Sequence, residues 1–227
     1  MIARSHLRGS SLLLSGRTMA VGVKFITQVL LVRHLTTADY GSWAYALTIV
    51  AMFGGFSTLS MHRSASRFLA LYHEEGRYDR FFGLIALVGG TILLTTIVFV
   101  TGVFAFPELL LRMAGQAPQP VAILTILVFL VPLEAIDGLL IAIFATFNRA
   151  KAIFFRRYVL TPFLQLTVVL SLVLLDAGVA FLAVGYVLAL LTGVVIYSSL
   201  LAHLFRRERL IGTGREGRIE VPAREVI

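Results

Sequence analysis

Long apolar stretches without a charged residue are the feature that most restricts the fold of this chain. Residues 40–61, 81–107, 113–133 and 158–175 contain no Asp, Glu, Lys or Arg, and a membrane-spanning helix needs about 20 such residues. Only 14% of the chain is charged and 58% is hydrophobic, whereas a soluble domain carries about 25% charged residues. The runs are unbroken and do not alternate as the strands of a membrane β-barrel do. The sequence therefore predicts an all-α integral membrane protein.

Counting between the charged residues predicts six transmembrane helices. Arg17 and Lys24 interrupt the first of them, and Arg17 also argues against a cleaved signal peptide, so this helix is expected to be retained. Trp43, together with Tyr40 and Tyr45 near the start of the second helix, is expected to form an aromatic anchor at the outer membrane interface. The helices are expected at about 11–32, 40–61, 81–106, 121–147, 158–175 and 179–203, followed by a polar cytoplasmic tail or linker at 206–227.

The distribution of basic residues predicts how these helices cross the membrane. Of the 20 Arg and Lys residues, sixteen lie in the N-terminal tail, the second and fourth connections and the C-terminal tail. Only Arg33 and Arg112 lie in connections on the opposite side. Because Lys and Arg are retained on the cytoplasmic side, both termini are predicted to be cytoplasmic. The connection arginines, Arg156 and Arg157 included, are attributed to topology alone.

Several kinds of chemistry have no counterpart in the sequence. The chain has no cysteine, which excludes disulfides, Cys-based zinc sites and thiol catalysis. It has neither a phosphate-binding G-x-x-x-x-G-K-[ST] loop nor an H-E-x-x-H motif, and Ser57 has no histidine at its depth that could activate it. We therefore expect no enzyme activity, cofactor or metal, and the net charge of +8 indicates topology, not a nucleic-acid partner.

Charged and polar residues inside the predicted helices are the candidate site residues, because such groups are costly in lipid. Arg17, Lys24 and Gln28 are spaced by seven and four residues and therefore share one face of the first helix. This cationic stripe would suit an anionic substrate, although Arg17 could instead extend to the cytoplasmic surface.

A second set of candidates lies on the fourth, fifth and sixth helices. Glu134 and Asp137 share one face just after Pro132, which leaves a backbone carbonyl free. They are candidates for proton coupling, with pairing to Arg17 or Lys24 as the alternative. Three further residues are secondary cavity candidates or, alternatively, hydrogen-bonding contacts between helices: Thr161, Gln165 and Tyr186.

A short signature follows the first predicted helix. Residues 31–41 read LVRHLTTADYG, so that an Arg-x-Leu stretch precedes an acidic residue and a Tyr-Gly pair where the second helix opens. Residues 53–56 (FGGF) and the basic amphipathic residues 63–70 continue the pattern. In these motifs the chain resembles bacterial polysaccharide biosynthesis proteins. These are the O-antigen and exopolysaccharide flippases of the superfamily that also holds multidrug and toxin exporters and lipid-linked peptidoglycan precursor flippases.

The resemblance implies a flippase that moves an undecaprenyl-pyrophosphate-linked oligosaccharide across the bacterial inner membrane for polysaccharide biosynthesis. Members of the family have two six-helix lobes around a central cavity, joined by a cytoplasmic linker, and this chain resembles the first lobe. It is then a fragment or one half of a transporter. The implied partners are the lipid-linked oligosaccharide, membrane lipid and a second six-helix lobe or a second copy. Arg17 and Lys24 would be cavity cations, and Arg33 is expected to hold the turn at the outer rim.

Two other functions remain open at this point. One is half of a multidrug or organic-cation exporter, which Glu134 and Asp137 would suit and which Arg17 and Lys24 argue against. The other is a membrane assembly partner that holds polysaccharide enzymes without transporting anything.

Overall fold

The computed structural model describes residues 2–58, 61–115, 117–147 and 149–207, and every regular element among them is helical. A π-helical segment, Phe155–Leu160, joins the eighth and ninth α-helices. The α-helices are α1 (Ile2–His34), α2 (Thr37–Thr58), α3 (Met61–Glu74), α4 (Tyr78–Ala105), α5 (Pro107–Met113), α6 (Pro118–Leu127), α7 (Leu130–Thr146), α8 (Ala150–Phe154), α9 (Thr161–Leu174) and α10 (Val179–Arg207).

Four helical stretches within the described residues are long and apolar enough to cross a membrane: Tyr78–Ala105, Pro118–Thr146, Lys151–Leu174 and Val179–Arg206. The helical architecture and these stretches agree with the predicted membrane protein. Helices α1 and α2 are not among the four. Arg17 and Lys24 interrupt α1, and α2 is rich in Gly, Ser, Thr and Tyr. The six-span arrangement and its orientation therefore remain predictions.

The fourth predicted helix is broken near its middle. Helix α6 ends at Leu127 and α7 begins at Leu130, just before Pro132, the residue expected to leave a backbone carbonyl free. Pro132 has no N–H to donate to the Val128 carbonyl. Val131 donates to that carbonyl instead, at 3.1 Å. The break leaves the two acids in the first half of α7.

The fifth predicted helix begins eight residues earlier than expected, at Ala150. The shift places Arg156 and Arg157 inside the helical stretch and not in a connection. Pro162 also lacks an N–H, and the local pattern changes to π-helix: the Thr161 N–H donates to the carbonyl of Arg156, five residues back. The Thr161 hydroxyl donates to the same carbonyl at 3.0 Å.

Two connections contain helices of their own. Helix α3 buries Leu69 and Tyr72, exposes Arg67, and packs against α4 and α7. The short helix α5 lies in the connection between α4 and α6 and has no buried residue. Helix α10 continues to Arg207, and most of the predicted tail, residues 208–227, lies outside the described residues.

Buried apolar side chains form two clusters with a polar region between them. One cluster joins α3, α4, α7 and α10 around Phe81 and Phe144, and the other joins α1, α2, α6, α9, α10 and the start of α7 around Trp43 and Leu127. Trp43 is only 3% exposed and meets the ring of Tyr186 edge-on at 4.8 Å. The expectation of an interfacial anchor at Trp43 is therefore wrong, since this side chain packs within the bundle.

Candidate functional site

A cavity of about 320 Å³ lies between the two apolar clusters, where α2, α7, α9 and α10 meet. Half of the side chains that line it are polar and half are apolar, and all the polar ones had been selected from the sequence. The structure therefore brings the second set of candidates together in one place: Glu134, Asp137, Thr161, Gln165 and Tyr186.

Asp137 forms an ion pair with Arg156. Its Oδ1 lies 2.7 Å from Nε and 2.7 Å from Nη2 of the guanidinium group. This partner differs from the alternatives considered in the sequence, which were Arg17 and Lys24. Since Asp137 is on α7 and Arg156 is in the π-helical segment, the pair joins two of the stretches that line the cavity.

Arg156 is fully buried, with 0% of its surface exposed. Its guanidinium carbon lies 5.4 Å from the centre of the Tyr197 ring. Its Nη1 has no hydrogen-bond partner among the described residues, and it rests against Gly193, where an added Cβ would come within 1.7 Å. A guanidinium group buried this completely is costly without its carboxylate partner, so the position of Arg156 depends on Asp137.

Sequence reasoning missed Arg156 because it was counted with the connection arginines. One signal was available. The charge-free run at 158–175 has only 18 residues, close to the shortest length that spans a bilayer. Extending the helix towards its N-terminus would have brought Arg156 and Arg157 into it.

Glu134 has the opposite environment to Asp137, although the two lie one turn apart. Its carboxylate makes no hydrogen bond and no ion pair with another described residue, and its side chain is exposed to the cavity. A Cβ added to Gly54 on α2 would lie 3.5 Å from Glu134 Oε2. The cavity thus holds one acid without a partner among the described residues and one acid that is paired.

Small residues on α10 make room for the site. Gly185, Ala189 and Gly193 are four residues apart and share one face of the helix. Val168 packs on Gly185, the cavity opens at Ala189, and Arg156 occupies the space beside Gly193. Close helix packing through small residues is typical of membrane proteins.

The first set of candidates, on α1, does not line this cavity. Arg17, Lys24 and Gln28 are exposed on the side of α1 that is not packed into the bundle, while Ala20 and Leu31 are buried. Neither Arg17 nor Lys24 forms an ion pair within the described part of the chain. The amide of Gln28 donates to the Tyr40 hydroxyl at 2.5 Å, which ties α1 to α2.

The signature at residues 31–41 forms a capped turn at one end of the bundle. The Thr36 hydroxyl accepts from the Asp39 N–H at 3.1 Å and donates to the Asp39 carboxylate at 2.7 Å, a reciprocal arrangement like a capping box. Gln119 of α6 also donates to the Asp39 carboxylate. The hydrogen bond from Thr36, followed by that from Gln119, lowers the pKa of Asp39.

The expected role of Arg33 in this turn is not seen. Arg33 is exposed and makes no hydrogen bond or ion pair with other described residues. Its neighbour His34 instead lies 3.7 Å from Asp176 in the turn between α9 and α10. The turn is held by Thr36, Asp39 and Gln119.

Comparison with known proteins bears on the family and not on the details of the site. Among the described residues, no three His, Asp or Glu side chains come together as metal ligands would. No curated protein and no solved structure matches the chain. The family model described as polysaccharide biosynthesis protein matches residues 6–217, nearly the whole sequence. The chain therefore belongs to the polysaccharide biosynthesis protein family, as its motifs predicted.

Proposed function

We propose that this chain translocates an undecaprenyl-pyrophosphate-linked oligosaccharide across the bacterial inner membrane, as one half of a transporter. Family membership and four apolar helices long enough to span a membrane support a polysaccharide-related membrane transporter. The lipid-linked substrate and the second lobe or second copy belong to this proposal. In it the chain has no catalytic activity and binds no cofactor.

The proposal includes six spans with both termini in the cytoplasm. It adds α1 and α2 to the four apolar stretches and takes its orientation from the arginine distribution. A reporter fused after Gly76 or Lys151 should be cytoplasmic, and one fused after Gln116 should be periplasmic. A periplasmic signal at Gly76 would exclude this topology.

The observation that carries the proposed substrate is the exposed basic face of α1. Arg17 and Lys24 project from a mostly apolar helix without an ion-pair partner in the described chain. A pyrophosphate head group carries roughly two negative charges, and a fixed cation interacts with it far more strongly in a low-dielectric interior than in water. Arginine binds phosphate oxygens bidentately, while lysine acts as a point charge.

Glu134 is the proposed proton-coupling residue of this transporter. Its carboxyl group has no partner among the described residues, and it lies beside a cavity that Gln165 and Tyr186 also line. Asp137 is committed to Arg156, so we assign it to holding the site together. Of the two acids predicted for proton coupling, we therefore assign proton exchange to Glu134 and a structural role to Asp137.

The substrate assignment is tested by flipping of labelled lipid-linked oligosaccharide in vesicles that contain this chain and its second lobe, normalised to protein level. Lys24→Ala should reduce transport strongly, Lys24→Arg should keep part of it, and Lys24→Glu should abolish it. Arg77→Ala removes a basic residue that already pairs with Glu75 and should change little. If the Lys24→Ala and Lys24→Glu proteins both transport as well as the parent protein, the proposed role of α1 is refuted.

One observation favours a second function, export of an organic cation. Within the described part of the chain, no Lys or Arg lines the cavity, whereas Glu134 and Tyr186 do. Acids together with aromatic rings suit cations. Loss of resistance to cationic compounds in Glu134→Gln, with oligosaccharide flipping unchanged, would favour this function. Absence of both activities in the assembled protein would instead favour a non-transporting assembly partner.

A further inference from the structure

Arg157 is a charged residue inside the apolar stretch Lys151–Leu174 that takes no part in the ion pair of the site. It directly follows the buried Arg156 in the π-helical segment, but its own side chain is exposed. Its guanidinium group forms no hydrogen bond and no ion pair with any residue that the structure describes. An arginine without a counter-charge in such a stretch is a candidate for a functional role.

Phe155 and Arg157 lie on opposite sides of their helical stretch. Phe154 rests on Gly16 of α1, where no room is left for a Cβ. Arg156 extends the other way, towards α7 and α10. Two sides remain between these directions. Because successive residues of a helix are about 100° apart, Phe155 occupies one of these sides and Arg157 the other.

The side that carries Arg157 is the one that faces the cavity. Arg157, Thr161 and Gln165 follow one another at intervals of four residues, which places them along one face. Thr161 and Gln165 line the cavity. Arg157 therefore continues the polar face of the cavity towards α8.

The basic face of α1 is turned to the same side. Arg17 and Lys24 share that face with Gln28, whose amide donates to the hydroxyl of Tyr40 on α2. Helix α2 in turn borders the cavity through Leu47. The cations of α1 are thus directed towards α2 and the cavity side of the bundle, as Arg157 is.

Arg17 and Arg157 also lie at nearly the same height. Helices α1 and α9 are parallel, because Phe154 meets Gly16 at one end and a side-chain contact joins the end of α1 to the turn after α9 at the other. Arg17 follows Gly16 directly and Arg157 is three residues beyond Phe154. At about 1.5 Å per residue, their Cα atoms differ in height by about 3 Å. Two arginines from adjacent helices therefore lie side by side.

No acid of the described chain neutralises these two arginines. Helices α1, α8, α9 and α10 and the π-helical segment contain no Asp or Glu. Other described acids lie on α2, α3, α4, α5 and α7 and in the turns, and none forms an ion pair with Arg17 or Arg157. On the cavity side, Asp137 is already paired and Glu134 forms no ion pair within the described chain. The remaining acids lie outside the described residues: Glu208, Glu216, Glu220 and Glu225.

Two adjacent arginines suit an anion with two phosphoryl groups. A guanidinium group donates two parallel hydrogen bonds to one phosphate, so a diphosphate occupies both arginines at once. We propose that Arg17 and Arg157 together bind the diphosphate of the lipid-linked substrate at the predicted cytoplasmic end of the site. Lys24 lies about 10 Å further along α1 and meets the head group later. This inference rests on the proposed function and adds to it a residue and an order of contacts.

The first test measures binding of undecaprenyl diphosphate, the lipid without its sugar, to the full chain by native mass spectrometry. Arg157→Gln should weaken binding roughly tenfold, because a hydrogen bond between charged groups contributes about that factor. Arg157→Lys should lose less. Arg33→Gln removes another exposed arginine of α1, at its opposite end, and should leave binding unchanged. Combined with Arg17→Gln, the loss from Arg157→Gln should be smaller than it is alone, since both residues hold one group.

Two further ligands identify what the arginines recognise. Undecaprenyl monophosphate should bind the parent protein more weakly than the diphosphate does, and Arg157→Gln should remove this preference. Inorganic pyrophosphate should bind more weakly than the lipid. Pyrophosphate that binds as tightly as undecaprenyl diphosphate would overturn the lipid as the source of the diphosphate.

The placement of the two arginines is tested without any ligand. The chain contains no cysteine, so a protein with Arg17→Cys and Arg157→Cys carries two thiols only, and a short bifunctional thiol reagent should link them. Arg17→Cys combined with Phe155→Cys, on the opposite side of the stretch, should not be linked. Equal linking of the two proteins, or none in either, would overturn the placement.

The outcomes separate this inference from the proposed function. If the parent protein does not bind undecaprenyl diphosphate, the proposed substrate is wrong and the inference fails with it. If the parent binds and Lys24→Ala weakens binding while Arg157→Gln does not, the proposed substrate stands and only the role of Arg157 is refuted.

Discussion

The two acids of α7 occupy one face of the same helix and have opposite environments. Asp137 is bonded to a guanidinium group that is wholly buried, while Glu134, one turn earlier, lies beside the cavity without a partner in the described chain. Burying a charge is costly unless it is paired. The difference shows that spacing on a helix identifies which acids share a region, whereas the tertiary packing decides which of them is paired.

The largest expected effect comes from removing the acid of the pair. Asp137→Asn leaves Arg156 buried without a counter-charge, which should lower the free energy of unfolding by about 3–5 kcal/mol. Thermal unfolding in detergent, together with the yield of extracted protein, measures this loss. Glu134→Gln is the matched control on the same helix face and should change stability by less than about 0.5 kcal/mol.

A double substitution separates loss of the pair from general damage to α7. Asp137→Leu combined with Arg156→Leu removes both charges and should recover much of the stability, because apolar residues often replace a buried ion pair without cost. If the Asp137→Asn and Glu134→Gln proteins are equally stable, Asp137 does not neutralise a buried Arg156.

The next effect tests the space that Arg156 occupies. Gly193→Ala places a Cβ within 1.7 Å of Arg156 Nη1, and overpacking of this kind costs about 1–3 kcal/mol. Gly90→Ala on α4 is the control: an added Cβ there has no neighbour within 4 Å, so alanine should stabilise by up to about 1 kcal/mol. Equal unfolding temperatures for the two variants would mean that Arg156 does not rest on Gly193.

A smaller loss of stability is expected from Thr161, which lies between the ion-paired Arg156 and the cavity. Thr161 lines the cavity and also donates to the Arg156 carbonyl. Thr161→Val keeps the shape but removes that hydrogen bond, at a cost of about 1 kcal/mol. Thr167→Val removes a comparable bond within α9 from an exposed position and should be nearly neutral. A greater loss in Thr167→Val would show that the bond to Arg156 contributes nothing particular.

The smallest effect is expected for Asp39, a third acid, which lies outside the four apolar stretches. Hydrogen bonds from Thr36 and Gln119 lower the pKa of Asp39 below its ordinary value, which is about 3.9. At a pH between the lowered and the ordinary pKa, Asp39 is protonated more often in the unfolded chain than in the folded one. The free energy of unfolding therefore rises with pH in this range. The stabilisation that Asp39 contributes is complete above its ordinary pKa and is lost as the pH falls through its lowered pKa.

Unfolding temperatures of the parent and Asp39→Asn proteins, followed from pH 6 downwards, test this contribution. The parent should be more stable at pH 6 by less than about 1 kcal/mol, because Asp39 is only partly buried. The difference should shrink as Asp39 becomes protonated. Gln119→Ala should remove part of it, and a difference that grows in acid would contradict the assignment.

The sequence predicted the helical membrane architecture and five cavity residues, because charge-free runs and helical spacing are local properties. Pro132 indicated a local change in backbone hydrogen bonding, but the break before α7 was not predicted. The partner of Asp137 was not predictable in the same way. Arg156 comes from a different helical stretch, and its inward direction depends on the π-helical segment before Pro162. The burial of Trp43 was missed for a similar reason, since only tertiary packing brings Tyr186 against it.

The contact between Arg156 and Gly193 has a consequence for how this sequence can vary. While the arginine is in place, position 193 has no room even for a methyl group. Replacing the arginine by a shorter residue would free that space and permit a side chain on α10. Substitutions at 156 and 193 should therefore be correlated among related sequences: glycine should accompany arginine, and larger residues should appear at 193 only where 156 has become small.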